Sequence, residues 1–168
     1  MNILIRLILT ALIVSWAVFP FIENPQNESV LGEIASVGLL SFIIIIAVFF
    51  MLIALYCRTL YTCLKLITPQ NRKASPTSVW YMFLMPFNFI EDFFIVINLS
   101  HSIEAERKTN LKLQTVKDHG LVSGMGWCIA QIMAFIPNVI GQVSGTVSVI
   151  LVIYHWVQIA RINRLLKG

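Results

Sequence analysis

Apolar and polar positions divide the chain into long alternating blocks. Ile3 to Ile22 is an apolar run with Arg6 near its start. It is too long for the core of a signal peptide, and Phe19-Pro20-Phe21 is not a small-residue cleavage site, so it reads as a retained span. Glu23 to Ser36 is polar, with three acids and no Lys or Arg. Val37 to Cys57 contains the uncharged run SFIIIIAVFFMLIALY and reads as a second span. The helix is expected to continue through RTLYTCLKLI along the interface, as the first part of a basic connector, and to end at Pro69. Trp80 to Ser100 passes as another span by hydropathy alone. His101 to His119 is charged. Gly120 to Ile162 is apolar, interrupted at Pro137-Asn138. At about 1.5 Å per residue that block is too long for one crossing and right for two. Gly120–Ile136 and Gln142–Ala160 are therefore expected to form a tight helical hairpin.

Composition turns this pattern into a fold class. The chain has 168 residues, of which 58% are hydrophobic and 12% charged, with a mean hydropathy of +0.82. A soluble domain carries roughly twice that charged fraction. The expectation is an all-α integral membrane protein forming a single membrane domain over residues 1–168. Cys57, Cys63 and Cys128 make an odd count with no CxxC pair, so they read as apolar thiols rather than a disulfide framework. The triplet Asn27-Glu28-Ser29 is a glycosylation sequon, which matters only in a secretory pathway.

Charge then decides the threading. The net charge of +4 reports topology here and implies no nucleic-acid partner. If Trp80–Ser100 spans, Arg6, Arg58, Lys65, Arg72 and Lys73 face one side, and the seven cations from Arg107 to Lys167 face the other. If the segment instead enters and leaves on one side, all 12 Lys and Arg fall inside, and the acidic loop stays outside. The positive-inside rule favours the second arrangement. It gives four transmembrane helices, about 3–22, 37–57, 120–136 and 142–160, with both termini cytoplasmic. A re-entrant or interfacial helical segment occupies 76–106, and five spans is the alternative. Local chemistry fits: Ser75-Pro76 is a helix start, Thr77–Met85 is too short to cross, and Pro86 breaks the chain. From Asn88, polar residues recur at helical spacing through Glu91, Asp92, Asn98, His101, Ser102 and Glu106.

The stretches ITPQNRKASPTSVWYMFLMPFNFIEDFFIVINLSHSIEAE, GLVSGMGWCIAQIMAFIPNVIG and VILVIYHWVQIARINRLL resemble a family of small uncharacterised bacterial integral membrane proteins. The resemblance rests on Asn71-Arg72, Ser75-Pro76, Val79-Trp80, Pro86-Phe87-Asn88, Ser102, Glu104 to Glu106, Ile136-Pro137, and Tyr154 to Trp156 before a basic tail. It covers roughly Ile67 to Leu166. Glu91-Asp92 departs from the pattern, where an aromatic and an amide are usual. The resemblance implies a bacterial inner membrane and this topology. It carries no catalytic residue.

Asn88, Glu91, Asp92 and Asn98 are the candidate polar or partner-facing residues. A carboxylate at mid-membrane costs about 2.5–3.5 kcal/mol on insertion scales. Three readings stand: a solvated face at headgroup level, an ion pair with a partner or within the chain, and transport chemistry. His155, between Tyr154 and Trp156, reads as part of an interfacial aromatic belt rather than a haem ligand, because the other two histidines lie in the polar connector. No His/Cys cluster has zinc spacing. Gly120, Gly124, Gly141 and Gly145, with Ser144 and Ser148, form small-xxx-small faces suited to packing within the hairpin or against a partner. Gln131 and Gln142 are candidates for bonds between helices.

No phosphate loop or nucleophile elbow is present, and no cofactor is implied. The leading expectation is a non-enzymatic accessory or assembly subunit of a larger inner-membrane complex, with membrane lipid and a larger complex or a homo-oligomer as partners. The alternative is a small transporter or oligomeric ion-conducting pore.

Overall fold

The computed structural model of the protein describes residues 4–5, 7–13, 15, 39–84, 88–136 and 138–168. The first expected span lies largely outside the described residues. The acidic loop with its sequon, and the break at Pro86, lie wholly outside them. The described residues between 4 and 15 are helical, and no strand occurs among the described residues.

Four α-helices follow: α1 (Leu39–Leu66), α2 (Asn88–Thr109), α3 (Leu121–Met133) and α4 (Val139–Lys167). Short 3-10 helices occupy Pro69–Asn71, Pro76–Phe83 and Leu111–Leu113. Among the described residues, two stretches are long and apolar enough to cross a membrane, Ile43–Leu66 and Val139–Lys167. Their outward faces agree with lipid as solvent: Ile43, Ile44, Phe49, Leu52 and Leu55 on α1, and Val143, Ile150, Ile153 and Val157 on α4, are all exposed. α3 has 13 residues, about 20 Å, which is shorter than the 120–136 expected for it.

α1 and α4 run parallel, because their contacts climb both helices together. Tyr56 meets His155, and Thr59 meets Trp156 and Asn163. The inward face of α4 is the stripe Gly141, Ser144, Ser148, His155, Ile159 and Ile162, spaced at the helical period. α3 packs antiparallel on this stripe. The turn between them is closed by Asn138, whose side-chain oxygen accepts from the amides of Ile140 and Gly141.

Trp80–Ser100 is not one helix. Ser75 caps the 3-10 helix that starts at Pro76, and α2 begins only at Asn88. The 3-10 helix runs back along α1. The Cys57 thiol donates to the Val79 carbonyl at 3.5 Å, and deeper in, Phe83 stacks on Phe50 at 6.1 Å. α2 then returns antiparallel to α3, with Phe89 against Phe135, Asp92 against Gln131, and Val96 against Gly124. Both ends of the excursion therefore meet at the C-terminal end of α1.

Candidate functional site

α2 carries two buried carboxylates, and their surroundings differ. Glu106, 4% exposed, sits near the C-terminal end of the helix. It accepts from the Thr68 amide (3.0 Å), the Thr68 hydroxyl (3.0 Å), Asn71 Nδ2 (2.8 Å) and, more weakly, Asn110 Nδ2 (3.4 Å). Ser102, one turn earlier, accepts from the Lys73 amide at 2.8 Å and donates to the Asn98 carbonyl at 2.6 Å. The Arg72 guanidinium donates to the carbonyls of Ile67 and Lys65, closing the end of α1. Together these groups latch the chain after α1 onto the end of α2. Burial pushes the Glu106 carboxyl up, but the donors from Asn71, Thr68 and Asn110 outweigh it and hold it below the ordinary carboxylate value. His119 is held below the ordinary imidazole value, by burial first and by Arg107 second.

Asp92, 3% exposed, has one hydrogen bond: Gln131 Nε2 donates to its Oδ2 at 3.3 Å. Its Oδ1 is buried without a hydrogen-bond partner among the described residues. The Tyr56 hydroxyl shares a 2.7 Å hydrogen bond with His155 Nδ1, and both side chains are buried. Trp127 and Trp156 pack edge-on against the Tyr56 ring. The bundle thus encloses a buried acid, held between α2 and α3, and a buried tyrosine–histidine pair, held between α1 and α4.

Glycine makes this enclosure possible at two points. A Cβ on Gly124 would lie 2.5 Å from Val96 Cγ1 and 3.1 Å from His155 Cδ2. Gly120 has a left-handed φ of 84° and would place a Cβ 2.9 Å from His155 Nε2. These close approaches bring α2, α3 and α4 together around the ring of His155.

No known protein family, curated protein or solved structure matches this chain. Its chemistry therefore has to be read from its own residues.

Of the residues singled out in the sequence, Asp92 faces inward onto α3, and Glu91 is half-buried. Asn88 is half-buried with Oδ1 unpartnered among the described residues. Asn98 takes part through its backbone carbonyl. The small residues face inside the bundle: Gly145 approaches Ala134, Gly141 abuts the Ile136 carbonyl, and Ser144 and Ser148 are buried. Gln131 bonds across to α2, whereas Gln142 is exposed. His155 corrects an expectation. At 1% exposed it is a core residue, not part of an interfacial belt. The signal was its place on the inward stripe, seven residues after Ser148 and four before Ile159. Tyr56 gave no such sign, because nothing in an apolar helix marks which hydroxyl will find a partner. The latch was also missed, because Thr68 and Asn71 lie 38 and 35 residues before Glu106 and nothing local marks the pairing.

Proposed function

We propose that this chain is a non-enzymatic bacterial inner-membrane protein in which Asp92 handles a proton or a small cation, as in a small transporter or an oligomeric ion-conducting pore. One observation carries the reading: Asp92 is buried with an oxygen that no donor among the described residues satisfies. Buried polar groups are ordinarily hydrogen-bonded, and an ionisable group inside a membrane protein is by default a functional candidate. A proton or a cation supplies what Oδ1 lacks. The buried Tyr56–His155 pair offers further groups that donate and accept protons.

The proposed topology has four spans, near 3–22, 37–57, 120–136 and 142–160, with both termini cytoplasmic. The segment 76–106 is re-entrant. The latch supports this reading, since Thr68 and Asn71 before the segment bind Glu106 at its end. Broken segments that line a protein interior are the form in which irregular backbone is tolerated at membrane depth.

The other reading is an accessory or assembly subunit of a larger inner-membrane complex. Its sequence support was the small-residue faces and the acid-bearing stripe. The small residues and Asp92 are engaged inside the chain, so they support docking less than they support an internal site.

Purified protein in liposomes tests the proposal, with a pH-sensitive dye reading an imposed proton gradient and Na⁺- and K⁺-sensitive dyes reading imposed gradients of those ions. The expected result is flux through the native protein that is lost in Asp92→Asn. Absence of any flux from folded, inserted native protein would overturn it. Recovery of stoichiometric co-purifying subunits in mild detergent would then favour the subunit reading.

A further inference from the structure

A second feature lies away from Asp92, on the outer side of the α1–α4 contact. A groove of about 440 Å³ opens between the two helices where each changes from apolar to basic. Arg58 and Thr62 of α1 line it, with Trp156, Arg164 and Lys167 of α4. Thr59 joins its two walls by accepting from Trp156 Nε1 at 2.9 Å.

Arg58, Arg164 and Lys167 are exposed side chains, and no acid lines the groove with them. The acids elsewhere in the described structure have other partners. Glu106 and Asp92 are bonded as above, Glu104 faces Lys108, and Asp118 accepts from the Gly120 amide. Three cations therefore converge on one groove with no carboxylate from its own walls.

The apolar surface continues the groove toward the other end of the helices. Leu52 and Val48 precede Leu55 by three and seven residues on α1, and Ile153 and Val149 precede Trp156 by the same intervals on α4. All four are exposed, and helical spacing places each pair on the groove side of its helix. A ligand that fits both parts has a negative headgroup and long apolar chains.

We propose that this groove binds an anionic glycerophospholipid, its phosphate held by Arg58, Arg164 and Lys167 and its acyl chains lying along α1 and α4. Arginine presents paired donors that match phosphate oxygens, and Lys167 adds a point charge. Basic pockets between membrane helices bind anionic headgroups in this way. The proposal rests on α1 and α4 being membrane-embedded and is independent of any role for Asp92.

Native mass spectrometry of the full chain in mild detergent tests it, with phosphatidylglycerol and phosphatidylcholine added separately. The expected result is retention of one phosphatidylglycerol at least about tenfold better than phosphatidylcholine. The triple variant Arg58→Gln, Arg164→Gln, Lys167→Gln should lose that preference while keeping its helical circular dichroism. Arg161→Gln, an exposed cation outside the groove, should keep it. Equal retention of the two lipids would overturn the proposal, as would an unchanged preference in the triple variant or an equal loss in Arg161→Gln. Displacement of phosphatidylglycerol by millimolar inorganic phosphate would identify a free-phosphate site instead and also overturn it.

Discussion

Glu106 and Asp92 stand on one helix, about four turns apart, and both are almost fully buried. Glu106 receives four hydrogen bonds from three residues, whereas Asp92 receives one, from Gln131. Removing a carboxylate from water is strongly unfavourable unless donors replace the lost hydration. At Glu106 they do, and the acid holds the fold together. At Asp92 they do so only in part, so the fold tolerates that acid more than it uses it. Burial alone therefore does not separate a structural acid from a functional one; the number of donors around it does.

The most damaging way to disturb this contrast is at the latch. Glu106→Gln replaces an acceptor with a group that itself donates, opposite the Thr68 amide and Asn71. Unfolding in detergent should show a loss of about 2–3 kcal/mol. Unchanged stability would mean that the latch contributes little.

Acid should weaken the same contact. The folded-state pKa of Glu106 lies below its ordinary value of 4.5, so its stabilisation is complete above that value and is lost as pH falls through the folded value. His119 is also depressed from its ordinary 6.5, so its contribution is present above that value and disappears on acidification through its own folded value. Measured in the Asp92→Asn background, where no buried carboxylate gains stability by taking up a proton, stability from neutral to acid pH should thus fall in two stages. Glu106→Gln should flatten the lower one, and a lower stage that persists in that variant would assign it to another acid.

Packing around Asp92 offers a subtler disturbance. Gly124→Ala would push α3 from Val96 and His155, at a cost of about 1–3 kcal/mol, and would loosen the Asp92–Gln131 contact. Ion flux should fall along with stability in this variant. Full flux at reduced stability would separate the packing from the site.

Much of the helical layout can be read from the chain. Pro69 follows the end of α1, Asn138 caps α4, and Ser75-Pro76 opens a helical turn because proline and capping residues act locally. The span at 3–22 and the break at Pro86 fall outside the described residues. Which side of α2 faces inward was not legible. Its polar residues form a stripe that suits the interface or a wet or protein-lined cavity alike, and Asp92 turns inside because Gly124 lets α2 approach and Gln131 supplies a donor on α3. That depends on a neighbouring helix, not on the stripe. Likewise, Glu106 looked like one more polar residue until the Thr68–Asn71 turn folded onto it.

The comparison is tested most directly by Asp92→Asn and Glu106→Gln unfolded side by side in one detergent. Asparagine keeps the shape of Asp92 and its bond from Gln131 while removing the need to bury a charge, so its stability should lie within about 1 kcal/mol of the native protein. Glu106→Gln should fall well below both. If Asp92→Asn is instead the more damaged variant, Asp92 is a structural acid like Glu106, and the contrast between the two is wrong.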